Sequence, residues 1–84
     1  MPKIPGIPGP FTLFFYSFDC NEPMHVHVRR ERKQAKFWLA PVELAWNHGF
    51  SPRTLTQLRR LIVTHEGSII EAWHEHCGQR RRAD

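Results

Sequence analysis

Two histidines separated by one valine, His25-Val26-His27, are the residues of this chain best placed to do chemistry. Val26 and Val28 alternate with them, which is the pattern of a half-buried strand. Successive side chains on a strand point to opposite faces, so the valines turn inward and both imidazoles share the outer face. Imidazole moves protons near neutral pH and ligates metals. Side chains two apart on a strand lie roughly 6.5–7 Å apart, a spacing that straddles a phosphate. With one ring as base and the other as acid, such a pair suits cleavage of an RNA phosphodiester without metal. Arg29, Arg30 and Lys36 are the nearby cations available to offset charge on a phosphorane.

The same His25 and His27 offer two nitrogen ligands to zinc, with Cys20, His74, Glu75 or His76 as candidate third ligands. No Cys-x-x-Cys or His-Glu-x-x-His spacing accompanies them, so no cofactor is required by motif. The plainer alternative is that they are outward polar positions of a strand. Glu22, ahead of the rigid Pro23, is placed to orient an imidazole or to accept from a loop amide. Trp38 offers a ring that suits stacking on a base or covering a dimer contact.

These residues need elements to hold them. Residues 1–10 read as an irregular arm, because their prolines resist helix and central strand alike. Phe11–Phe18 is expected as a first strand, apolar on both faces, and Asp19–Pro23 as a turn. Met24–Arg30 and Gln34–Leu39 follow as a hairpin, with Ala35, Phe37 and Leu39 inward and Lys36 and Trp38 beside the histidines. Val42, Leu44 and Trp46 alternate with Glu43 and Ala45, which predicts a short fourth strand; a helical turn is the alternative.

Ser51-Pro52 is a helix start, with Ser as N-cap and Pro at the first helical position. Leu55, Leu58, Ile62, His65, Ile69, Ala72, Trp73 and His76 then fall on one stripe. They predict one long amphipathic helix from Pro52 to about Cys77, kinked or broken near Gly67 if anywhere. Trp73 is its core anchor, and His65 and His76 are core histidines bonded to backbone or water. The fold class is therefore α+β: a three- or four-stranded antiparallel sheet with one long C-terminal helix packed on one face. Residues 11–78 are expected as the single domain, and 79–84 as a disordered basic tail.

A chain of 84 residues buries roughly 60–65% of its unfolded surface, so the core is small and a site is a surface groove or a shared cleft. Twelve Lys and Arg against eight Asp and Glu leave a net +4, clustered at Arg29–Lys33, Arg53–Arg60 and Arg80–Arg82. Such clusters attract polyanions or are plain solvated surface. Two cysteines, Cys20 and Cys77, make no disulfide framework and fit a reducing cytosol. The longest apolar runs are far too short to span a bilayer, and the start of the chain lacks the order of a signal peptide. A cytoplasmic location follows as the expectation.

The runs Phe14-Phe15-Tyr16-Ser17, Asn21-Glu22-Pro23-Met24-His25-Val26-His27-Val28, Ala35-Lys36-Phe37-Trp38-Leu39, Pro41-Val42-Glu43-Leu44-Ala45, Gly49-Phe50-Ser51 and Glu71-Ala72-Trp73-His74-Glu75 resemble the bacterial domain of unknown function 4160 family. The likeness runs from Pro2 to Gly78. Met24 stands where that family's Pro-Pro-His-x-His signature has its second proline, which loosens the turn and leaves both histidines. The resemblance implies a small α+β domain, often encoded beside another small protein in a toxin–antitoxin-like pair. It carries no activity to transfer. The expectation is thus a non-enzymatic binding module, with a protein partner, nucleic acid or a second copy docking on the open face or basic edge. A histidine-dependent ribonuclease and a metal-binding module are the alternatives.

Overall fold

The computed structural model describes residues 3–78. Four strands form one antiparallel sheet in the order β1-β2-β3-β4: β1 (Thr12–Phe14), β2 (His25–Arg30), β3 (Lys33–Trp38) and β4 (Glu43–His48). Two helices follow, α1 (Pro52–Thr64) and α2 (Glu66–Cys77). A single 3-10 turn, Asp19–Asn21, lies between β1 and β2.

The alternating pattern fixes the register. Val26 pairs with Phe37 and Val28 with Ala35, while Leu13 faces Val28 across the other side of β2. These five share one face, and Leu58, Ile62, Ile69 and Trp73 of the helices are buried in the same cluster. Ser51 caps α1 as expected, accepting from the Thr54 amide at 3.1 Å. Asn47 accepts from the Phe50 amide and donates back to its carbonyl, which shapes the turn into α1. Gly49 in that turn has φ +99°, and a β-carbon there would stand 3.0 Å from Lys33 Cγ.

Four details depart from the sequence expectation. The long helix is two helices, and the interruption is at His65 rather than Gly67: His65 sits at φ −106°, ψ 17° between them. The backbone bonds His65 N to Leu61 O and Ile69 N to His65 O continue across it. The apolar stripe therefore keeps its phase through the break, which is why the stripe could not reveal it. The first strand stops at Phe14 instead of Phe18, because Phe15 turns into the core and the Asp19 amide closes a turn on Tyr16 O at 3.1 Å.

In the fourth strand the register slips between Lys36 and Phe37: Lys36 faces Trp46, and Phe37 faces Leu44. Ala45 is the extra residue. Leu44 and Trp46 consequently lie on opposite faces of the sheet, not on one. Finally, Cys20 and Cys77 form a disulfide, tying the 3-10 turn to the end of α2. Separation by 57 residues hid this pairing from spacing arguments.

The N-terminal arm is irregular but attached. The Ile4 amide donates to Leu13 O at 2.9 Å, Lys3 bridges to Phe14, and Ile4 is buried. This occupies the outer side of β1. The tail over 79–84 lies outside the described residues.

Candidate functional site

His25 and His27 do share one face of β2, opposite Val26 and Val28. That face was expected to be open, and at the histidines it is not. His25 is 0% exposed and His27 5%. The end of β1, the segment after it and α2 cover them. Phe14 stacks on His27 at 5.4 Å between ring centroids, Tyr16 meets it edge-on at 4.7 Å, and Trp73 reaches His25 at 5.1 Å. The reason lies in β1: both of its faces are apolar, so the chain beyond it stays on the sheet and buries the outer face as well.

The residue that organises this centre is Asp19, which strand and motif reasoning passed over as part of a turn. It is 3% exposed. Its Oδ2 lies 3.1 Å from His25 Nε2 and 3.1 Å from His27 Nε2, and it accepts from the Tyr16 amide at 2.8 Å. Only its proximity to the histidine pair, six residues ahead of His25, could have drawn notice. On the other side of the ring, His25 Nδ1 lies 2.9 Å from the Pro23 carbonyl. A carbonyl oxygen only accepts, so this nitrogen carries the proton. The other ring nitrogen, Nε2, is turned toward Asp19.

Hydrogen-bond geometry is not met at the Nε2 of either ring, despite the short distances. His25 Nε2 and both ring nitrogens of His27 are buried without a hydrogen-bond partner, as is Trp73 Nε1. Burial pushes the His27 imidazole below its ordinary value against the upward pull of the Asp19 carboxylate; the Lys36 ammonium, and the His25 ring whenever it is protonated, act in the same direction as burial.

The other expected site residues do not converge on the pair. Glu22 Oε1 is 3.9 Å from His25 Nδ1 and instead takes the Lys36 ammonium at 2.5 Å. Lys36 holds the Glu22 carboxyl below the usual range. Pro23 therefore does through its carbonyl the orienting that was expected of Glu22. Lys36 also lies over the Trp38 ring, 4.5 Å from its centroid, and Trp38 stands edge-on to His25. Arg29 sits over Phe14 and Arg30 over Phe11, so both guanidinium groups cover β1 and its approach. His76 is half-buried: its Nε2 lies 3.0 Å from Tyr16 O and its ring stacks on Phe15.

Surface grooves occur elsewhere, for example between Ile4, Phe15 and His76 and between Pro10, Phe11 and Arg30. Neither is lined by His25 or His27. Two groups have metal-ligating atoms close together: Asp19, His25 and His27, and Cys20, His76 and Cys77, the latter's sulfurs being engaged in the disulfide.

The sequence model for domain of unknown function 4160 (DUF4160) matches residues 11–74. The chain belongs to the DUF4160 family. The matched span holds the whole sheet, α1 and α2 as far as His74, so the DUF4160 domain contains the Asp19–His25–His27 centre but not Cys77. No curated protein and no solved structure matches the chain. No described helix of this DUF4160 protein is long and apolar enough to cross a membrane.

Proposed function

We propose that this protein is a non-enzymatic interaction module that takes an extended segment of a protein partner along the outer edge of β4. The observation that carries this is the edge itself. Among the described residues nothing pairs with β4 beyond β3, whereas the opposite edge of the sheet is occupied by Lys3 and Ile4. An open edge presents a row of free amides and carbonyls that a partner strand completes. Leu44 (45% exposed) and Trp46 (36% exposed) lie on the two faces of this strand, supplying apolar contact on either side.

Of the basic residues around the β2–β3 turn, Arg32 and Lys33 adjoin the end of β4, where Gln34 pairs with His48 and the Lys33 side chain lies beside Gly49, whereas Arg29 and Arg30 turn toward β1. An acidic partner segment is the complement of that charge. The family resemblance suggests the product of a paired gene as this partner, in a toxin–antitoxin-like module. Burial of both imidazoles, away from the grooves, weighs against the ribonuclease alternative, because a phosphodiester must reach the acid and the base.

The test is calorimetric titration with the neighbouring gene's product. Binding should be lost or weakened at least about tenfold in Trp46→Glu and Leu44→Lys, since each breaks an apolar contact at the centre of the contact strip. Unaltered affinity in both variants refutes the edge. RNA binding with a steep salt dependence assigns the surface to nucleic acid instead. Self-association that the same variants abolish assigns it to a second copy.

A further inference from the structure

We propose that Asp19, His25 and His27 form a binding site for one divalent transition-metal ion, zinc in the first instance. The site stands independently of any partner at β4.

The argument begins with charge and lone pairs. The Pro23 carbonyl holds a proton of His25 on Nδ1, and the ring's other nitrogen, Nε2, faces a carboxylate oxygen 3.1 Å away; without a second proton it is a bare acceptor. Two acceptors at that distance repel unless something positive lies between or beside them. A proton on Nε2 is a poor answer, because neither Nε2 has Asp19 Oδ2 in hydrogen-bond geometry. One cation at the convergence satisfies both nitrogens and the oxygen together.

Distances are close to those of a zinc site, and the donor types agree. Zinc bonds to imidazole nitrogen and carboxylate oxygen are about 2.0–2.2 Å, which sets tetrahedral donors around one ion about 3.3–3.6 Å apart, a few tenths of an ångström wider than the separations here. Each Nε2 lies 3.1 Å from Oδ2, and one atom from each of the three residues falls within 4.8 Å of the others. An imidazole that ligates through one nitrogen commonly donates its other N–H to a carbonyl, and His25 Nδ1 does so. Two imidazoles and a carboxylate suit zinc, with an open position left for water. All three side chains are more than nine-tenths buried, so the pair of Nε2 atoms is not satisfied by bulk solvent.

The ion would have a defined mechanical effect. Asp19 belongs to the 3-10 turn and the histidines to β2, so coordination fastens the covering segment to the sheet from within. The Cys20–Cys77 bond fastens the same turn to the end of α2.

Tag-free, chelator-stripped protein with its disulfide intact is titrated with Zn²⁺ and, separately, with Co²⁺. One equivalent of zinc should bind with a micromolar or lower Kd. Zinc at 100 times that Kd should raise Tm by on the order of 10 °C. The cobalt form should show visible d–d bands without thiolate charge-transfer bands, which separates this site from Cys20, His76 and Cys77. Asp19→Asn and His27→Gln should each weaken zinc at least about tenfold. Should either variant fail to fold, the wild-type imidazole nitrogen resonances decide, since the Nε2 signals of His25 and His27 must move on zinc addition while His25 Nδ1 stays protonated. Wild-type protein that takes up no zinc, thiolate bands in the cobalt form, unmoved Nε2 signals or undiminished affinity in folded variants would overturn the assignment.

Discussion

Breaking the bond between Cys20 and Cys77 should lower stability by about 4 kcal/mol. The two residues are 57 apart in sequence, and closing a loop of that length removes about that much chain entropy from the unfolded state. For a domain of this size each kcal/mol moves Tm by about 4–8 °C, so the loss amounts to roughly 15–30 °C. The assay is thermal unfolding followed by circular dichroism, with and without reductant, with complete reduction verified by thiol titration. The double variant Cys20→Ala/Cys77→Ala should melt with the reduced wild type and ignore reductant. A local effect should accompany the global one. Cys20 adjoins Asp19, and the Tyr16 amide donates to Asp19, so that amide should exchange faster once the turn is released. Fully reduced protein that melts within about 5 °C of the oxidised form would show that the two cysteines do not constrain the fold.

Truncating Trp73 to Ala should cost about 3–5 kcal/mol, since its ring is fully buried between Phe15 and His25; a loss under 1 kcal/mol by urea denaturation contradicts that packing. Ser51→Ala should cost about 1 kcal/mol through the lost cap on the Thr54 amide, measurable as a lowered midpoint at unchanged denaturant slope. Burial holds the His27 imidazole below its ordinary value of 6.5, so in metal-free protein the unfolded chain binds a proton below that pH that the native ring refuses. Stability is then full above this window and falls as the pH drops through it; urea midpoints that stay level there, or a slope that His27→Gln leaves intact, contradict the assignment.

Much of the architecture was legible in local pattern. The alternation of Val26 and Val28 with His25 and His27 placed both imidazoles on one face and the valines under the helices. Ser51-Pro52 marked the start of α1, and the apolar stripe marked the faces of both helices. The His65 break left no trace, because backbone bonding and stripe phase both run through it. The Ala45 bulge was equally silent: a one-residue slip in pairing depends on the partner strand, not on β4 alone.

By itself the sequence determined the strand parity, the helix start, the family signature and the identity of the paired histidines. Tertiary structure alone decided that those histidines are buried, that Asp19 is their common neighbour and that Pro23 fixes the proton of His25. The physical reason is range. Periodicity of two or 3.6 residues states which way a side chain points, whereas what lies over it is set by contacts such as His76 to Tyr16, 60 residues apart, and Cys20 to Cys77, 57 apart.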